Sequence, residues 1–433
     1  MLYITLGFLL LIVIYAANPE KRPLPTESDL SHFIFPWMHL YYASKYLNPV
    51  KKGPRKSHLE KYFKNNKNPE NREILKETDE IKINAAGDIM IRSEISLGKN
   101  DTLGEDIGSF LFSSDITFGN MEFAVNEKWP IDKTIRFSML EKQADVMLHD
   151  KRFGKFDIVS LANNHINDSL CGGIKSTREY LDKNKILHVG ANLSEEDIDI
   201  IPIINKKGIK VAFLAYTFST NGVPLESECQ FGTNLIRFNA LNPANYDPSL
   251  IHKHIKKARS EGADIIVASL HWGIEFEYYP PVRIVERGHA LLEKGVDIII
   301  GHHPHILNPS EWYRTADGRD TLCFYSLNGM TSQTLPMTPQ NMGQIAGISI
   351  EKGKNEKGNS ITRIKRAELI PTFFLRKGKG KKSSHRILPL FSTIEKLEKG
   401  EKLPYMNLFQ KSRLRYANRE YKKYFIQKSF HYK

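Results

Sequence analysis

The chain has 433 residues, with 62 Lys+Arg against 49 Asp+Glu, 41% hydrophobic and 26% charged residues, and 3 Cys. That length allows two or three domains, or one large α/β domain with additions. The composition excludes a wholly disordered chain, a collagen-like chain and a disulfide-dense scaffold.

The charge is unevenly placed. Residues 374–433 carry 17 Lys+Arg against 4 Asp+Glu, an excess equal to the whole chain's net charge of +13, so the remainder is balanced. A neutral body with a basic end suits contact with a polyanion or an anionic lipid surface. A solvated basic extension without a partner has the same composition. The three cysteines, Cys171, Cys229 and Cys323, lie far apart with no C-x-x-C pair. They read as three buried, inert thiols and do not fix a compartment.

Taken in chain order, the first element is a nearly unbroken apolar run over residues 2–17, with no charge until Glu20. About 20 apolar residues span a bilayer and about 17 is the lower limit, so residues 1–18 read as a membrane anchor or an uncleaved signal. A cleavable signal has small residues at −3 and −1 and a basic start; this run ends Ile14-Tyr15-Ala16-Ala17 and has no Lys or Arg before it. The expected placement is a cell membrane with a single N-terminal anchor and the main domain outside the cytoplasm. Lys21 and Arg22 after the run argue the other way on the positive-inside rule. Residues 19–80 form a proline-broken lead-in. Its one apolar piece, 33–47, has two open readings: a membrane interface or packing on the main domain.

From residue 81 short apolar runs alternate with helical patterns. Strands are predicted over 81–86, 116–118, 158–161, 188–190, 211–216, 265–270, 298–300, 322–326 and 345–351, and helices over 141–151, 173–183, 250–260 and 282–294. Continuous apolar runs such as Ile265-Ile266-Val267-Ala268 and Ile298-Ile299-Ile300 are the mark of strands buried on both faces. Strand–helix alternation predicts an α/β domain with helices covering sheets. The last strands follow one another without long helices, which argues against a purely parallel sheet.

Five polar clusters fall directly after predicted strands, where open α/β sheets bind ligands. Gly87-Asp88 offers a carboxylate beside a residue that permits a tight turn. Asn120 and Glu122 place a carboxamide and a carboxylate within reach of one or two cations. In Asn163-Asn164-His165-Ile166-Asn167-Asp168, Asn164 can offer an oxygen to a metal. His165 is the natural acid near neutral pH, and Asp168 can fix its tautomer. His271 opens His-Trp-Gly-Ile-Glu. Finally, Gly301-His302-His303-Pro304-His305 has three imidazoles in four positions; in an extended segment His303 and His305 share a face while His302 turns away. Carboxylate, carboxamide and imidazole without thiolate suit zinc, manganese or iron, one ion or two, as in binuclear hydrolytic sites.

The ordered set Gly-Asp, Gly-Asn-x-Glu, Asn-Asn-His-x-x-Asp, His-Trp-Gly-x-Glu, Gly-His-His-Pro-His and Tyr-Ser-Leu, from about residue 81 to 330, resembles the capsule synthesis protein CapA family. That family is linked to poly-γ-glutamate and related to the calcineurin-like metallophosphoesterases. The resemblance implies a four-layer α/β/β/α sandwich over residues 81–352, with 353–433 left as a basic C-terminal extension. It implies that Asp88, Glu122, Asn164, His271, His303 and His305 are metal ligands and that His165 is the catalytic imidazole. Two departures stand out. The first cluster lacks the Asp-x-His of metallophosphoesterases, since Ile89-Met90 follow Asp88, and the second bridging Asp of that superfamily is represented by Glu122. The Tyr-Ser-Leu-Gly-Asn usual in CapA-like chains reads Tyr325-Ser326-Leu327-Asn328-Gly329 here.

The implied function is a membrane-associated, metal-dependent hydrolase or transferase in synthesis or export of an anionic polymer. The basic end would recruit that polymer or its synthase, and nothing in the chain reads as a nucleic-acid motif. Two alternatives are a non-catalytic assembly or export component that binds the polymer, and a phosphoesterase whose substrate is unrelated to capsule.

Overall fold

The computed structural model describes residues 44–54, 56–70, 72–90, 102–128, 136–331, 339–378 and 383–433. The expected anchor and the first part of the lead-in lie outside the described residues. Among the described residues no helix is long and apolar enough to cross a membrane.

The first half of the fold contains α1 (Leu59–Asn65), β1 (Lys76–Ile89), β2 (Ile116–Met121), α2 (Glu141–Leu148), β3 (Ile158–Ser160), α3 (Leu170–Lys183), β4 (Leu187–Val189), β5 (Ile203–Lys206) and β6 (Ile209–Thr217). It continues with α4 (Ser249–Ser260), β7 (Ile265–His271), α5 (Val282–Glu293), β8 (Ile298–His302), β9 (Ser310–Arg314) and β10 (Asp320–Phe324). The last part holds β11 (Met342–Lys354), β12 (Ser360–Lys377), β13 (Ser384–Pro389), α6 (Leu390–Glu398), α7 (Leu408–Tyr424) and β14 (His431–Tyr432).

These strands form two mixed sheets. One has the order β13-β12-β11-β1-β2-β3-β4, with β14 paired to β12, and the other β9-β10-β8-β7-β6-β5. Strands β1 to β4 run parallel, as do β6, β7, β8 and β10, while β11, β12, β13, β5 and β9 are antiparallel to their neighbours along these orders, and β14 pairs parallel with β12. The sheets face each other across one apolar layer, in which Ile83, Phe118, Ile158 and Ile348 meet Val211, Phe213, Val267 and Ile300. The opposite faces are covered by helices. Met147 of α2 and Ile174 of α3 pack against the first sheet, and Ile255 of α4 and Leu291 of α5 against the second. Every residue of β7 is buried because both of its faces are covered. Each such aliphatic side chain contributes about 1.5–3 kcal/mol, which explains why the sequence here has no polar alternation.

Residues 353–433 do more than extend the chain. Strand β12 continues the first sheet, paired along its length with β11, and α6 and α7 add a core in which Leu388, Ile394, Leu414 and Tyr421 pack with Tyr278, Ile306 and Leu307. Apolar residues at alternate and helical spacing lie among the basic ones, and a count of charge alone does not reveal them. The lead-in is docked as well. Val50 donates its backbone N–H to Phe276 O at 2.9 Å, and its carbonyl accepts from Tyr278 N at 2.8 Å. Lys45 pairs with Glu277 at 2.9 Å, and Tyr46 packs edge-on to Phe276.

The reading of three inert thiols is corrected. Cys171 and Cys229 form a disulfide, with Cα atoms 5.9 Å apart and a sequence separation of 58. Cys323 alone is free, buried in the second sheet. The paired cysteines come from the first turn of α3 and from the loop after β6, two segments that only the tertiary fold brings together.

Candidate metal centre

The site lies where the carboxyl ends of β1, β2, β3, β7 and β8 converge. Register does much of the placement: Asp88 pairs with Asn120 across β1 and β2, and His271 pairs with both Thr217 and His302 across β6, β7 and β8. Glu122 stands one residue past β2, and Asn163 to Asp168 follow β3. Two glycines allow the close approach this requires. A Cβ on Gly87 would stand 1.7 Å from Asn328 O, and one on Gly301 would stand 2.1 Å from Tyr325 O.

Asp88 is fully buried. Its Oδ1 accepts from Asn120 Nδ2 at 2.9 Å and faces His302 Nδ1 at 2.9 Å, and its Oδ2 accepts from the backbone N–H of His303 at 3.2 Å. His305 Nδ1 is 3.9 Å from the same Oδ2. Glu122 is also fully buried, and neither of its oxygens receives a hydrogen bond. His271 Nε2 lies 3.7 Å from Glu122 Oε1, and His165 Nε2 and His305 Nε2 each lie 3.9 Å from it.

Around this pair, Asn120 Oδ1 accepts from Asn163 Nδ2 at 3.3 Å, so the Asn120 carboxamide bridges Asp88 and the Asn163 turn. Asn164 donates through Nδ2 to Asn221, while its Oδ1 is buried without a donor. His165 Nδ1 lies 2.8 Å from Asp168 Oδ2, and its ring packs on Phe137. His303 stands beside Phe218 and His271, with ring centroids 4.7 and 5.0 Å away.

The electrostatics follow from burying two carboxylates together. Burial and the adjacent Asp88 push Glu122 well above the ordinary carboxyl range. Burial opposes ionisation of Asp88 too, but His302 and then His271 and His305 outweigh it and hold that carboxyl below its usual value. Burial, and next the His303 imidazole, keep His271 neutral, the form in which imidazole binds metal. Buried acid oxygens and a buried amide oxygen, all without donors, beside the neutral His271 imidazole are costly in isolation; a divalent cation would satisfy them together. The donor set therefore fits the expected ion.

Among the described residues, two groups at the site have ligand atoms within 4.8 Å of one another: Asp88, Glu122 and His305, and Glu275, His303 and His305. They share His305. A third group, Cys171, Glu226 and Cys229, lies elsewhere and has both sulfurs in the disulfide.

One sequence expectation fails. His302 does not turn away; it is buried and contacts Asp88. Alternation holds only in extended chain, and after β8 the backbone turns left-handed, with φ of 95° at His303 and 49° at His305. Those two conformations, costing on the order of 1–3 kcal/mol each, let three imidazoles of one short segment gather at one site. Glu275, inside the quoted His-Trp-Gly-Ile-Glu motif, is a second residue without an assigned role in the sequence reading, and its Oε1 is 3.8 Å from His305 Nε2. Asn221 is the third, and no local motif marks it.

A family profile described as Bacterial capsule synthesis protein PGA_cap matches residues 82–333, more than half of the chain and every residue of this site. The chain belongs to that family. Among PGA_cap relatives, the Capsule biosynthesis protein CapA of Bacillus anthracis is 28% identical over 264 residues, 58% of this chain and 60% of that protein. The PGA biosynthesis protein CapA of Bacillus subtilis (strain 168) is 31% identical over 233 residues, 52% of this chain and 56% of that protein. The chain thus spans less than two thirds of the length of these relatives. A solved hypothetical protein of Thermus thermophilus aligns over 69% of this chain and 100% of that chain, at 12% identity and a TM-score of 0.36, too loose a likeness to bear on function.

The structure also accounts for the departure at Asn328 within the PGA_cap region. Its carboxamide is turned onto the backbone, donating to Met342 O and accepting from Gly329 N at 2.6 Å, and its own carbonyl accepts from Asp88 N at 2.9 Å. Asn328 supports the strand end that carries Asp88.

Proposed function

We propose that this PGA_cap chain is a membrane-associated, metal-dependent hydrolase or transferase of metallophosphoesterase type, acting on poly-γ-glutamate or a related anionic polymer during its synthesis or export. The observation that carries the reading is Glu122: a fully buried carboxylate with neither oxygen hydrogen-bonded, ringed by His165, His271 and His305 within 3.9 Å. In this reading Asp88, Glu122, Asn164, His271, His303 and His305 hold one or two ions of zinc, manganese or iron. Asn120 and His302 orient Asp88, and Glu275 stands beside His305 as a further carboxylate. Such an ion supplies Lewis acidity toward a substrate oxygen and an activated water.

The chain's own work is proton handling and orientation. His165, with Nδ1 turned to Asp168 and Nε2 toward Glu122, is the group that takes a proton at Nε2 and then gives it to the departing atom. Phe137, Phe218 and Phe276 line the imidazoles and lower the local dielectric. The basic C-terminal part gives an anionic polymer its electrostatic attraction, and such binding weakens steeply with salt.

The Cys171–Cys229 disulfide supports a main domain outside the cytoplasm, since disulfides persist in oxidising compartments. Residues 1–18 serve as anchor and 19–80 as the lead-in to the catalytic unit. The test is metal analysis of the purified full chain together with cleavage of poly-γ-glutamate and of a generic phosphate ester. Stoichiometric transition metal with polymer turnover is the expected result. Absence of metal removes the enzyme reading, metal with inert polymer and active ester points to a phosphoesterase of other substrate, and metal with no turnover of either leaves the assembly role.

A further inference from the structure

After β6 the chain makes a loop, residues 218–234, that reaches the turn carrying Asn163 to Asp168. Of residues 220–230 only Cys229 is buried, and Leu225 packs partly buried against the core beside the first sheet. Polar and covalent contacts add to that anchoring. Asn167 Nδ2 donates to Val223 O at 3.1 Å and Pro224 O at 3.0 Å, and the backbone N–H of Cys171 donates to Glu226 Oε2 at 3.2 Å. The disulfide then joins the first turn of α3 to Cys229. Near the start of the loop Asn221 sits in the left-handed region, φ 53°, which asparagine tolerates better than most residues. Its carboxamide reaches two site residues at once: Oδ1 accepts from Asn164 Nδ2 at 3.0 Å, and Nδ2 lies 3.4 Å from His165 Nε2.

These two contacts decide two orientations. With its NH₂ taken by Asn221, Asn164 keeps Oδ1 as the acceptor without a donor, the atom a cation uses. With an amide N–H facing Nε2 and the Asp168 carboxylate 2.8 Å from Nδ1, the neutral imidazole of His165 takes the Nδ1–H tautomer. We propose that the disulfide-locked loop is a clamp on the metal centre and that Asn221 is its positioning residue, so the geometry of Asn164 and His165 depends on Cys171–Cys229 being oxidised. The meaning of those two residues rests on the hydrolase reading; their positioning does not.

The test uses the full chain in detergent with ¹⁵N-labelled histidine, the His165 signal being assigned by its loss in His165→Gln. Oxidised protein is expected to show a single Nδ1–H tautomer. Asn221→Ala, and separately dithiothreitol, which reduces the cystine to two thiols as it forms its own cyclic disulfide, are each expected to shift the His165 Nε2 resonance, which loses its amide partner, and to weaken Mn²⁺ binding about tenfold. An unchanged His165 signal in Asn221→Ala overturns the proposal. A response to that variant with none to dithiothreitol overturns the part assigned to the disulfide. Should the reductant unfold the chain, by near-ultraviolet circular dichroism, Asn221→Ala with its cystine intact still decides. Failure of the wild type to bind Mn²⁺ counts against the hydrolase reading alone, because the tautomer is read without metal.

Discussion

Among the described residues two glutamates, Glu122 and Glu311, are fully buried, and their surroundings differ in one respect. Glu311, on β9, receives hydrogen bonds from Tyr62 and, at 2.5 Å, from Tyr325, and His289 Nε2 lies 2.8 Å from it. Glu122 has imidazoles nearby at 3.7 to 3.9 Å and no hydrogen-bond donor. The first arrangement satisfies a buried acid with protein groups and braces α1, α5 and the second sheet together. The second leaves an acid without an N–H or hydroxyl donor, which a cation would satisfy. Burial of a carboxylate is therefore not the sign of a site; burial without donors, next to a second carboxylate and several imidazoles, is.

The imidazole beside each glutamate gives the largest contrast. His165→Ala is expected to lower turnover about 10²–10⁴-fold with metal content by mass spectrometry unchanged, whereas His289→Ala leaves turnover as it is. Next come the glutamates themselves. Glu122→Gln should weaken metal binding about hundredfold or more in calorimetry, yet raise the melting temperature of the metal-free protein by relieving two adjacent buried carboxylates. The sign follows from linkage. The folded state holds the Glu122 proton above the ordinary value of 4.5, so metal-free stability falls as pH rises past that value, and the glutamine variant should flatten the slope. Asn120→Ala, which frees Asp88 from its amide partner, is expected to weaken metal affinity about 10–100-fold. Smallest is Glu311→Gln, about 1–3 kcal/mol of stability in chemical denaturation, with metal content untouched. Equal effects of the two glutamine variants on metal would erase the comparison.

Much of this was legible in one dimension. Strands β7 and β8 open on continuous apolar runs because both faces are covered, and the polar clusters stand out because each follows such a run. Asp88, Glu122, Asn164, His165, His271 and the imidazoles after Gly301 could be named on residue type and place alone. The role of His302 could not, because it depends on left-handed backbone at His303 and His305 that no periodicity encodes. Strand β12 and helices α6 and α7 were hidden by their own charge, since the basic residues of residues 353–433 dominate the composition while its apolar ones build a core with Tyr278 and Leu307.

The sequence by itself determined which chemical groups are available and that they follow strand ends, because buried strands and the polar turns after them are local patterns of one to two dozen residues. Tertiary structure alone decided which groups meet: Cys171 with Cys229, Asn221 with Asn164 and His165, the lead-in with Phe276, and Glu122 with three imidazoles but no donor. Those outcomes turn on distances of a few ångströms between segments tens to hundreds of residues apart, and the packing of two sheets sets them rather than any pattern along the chain.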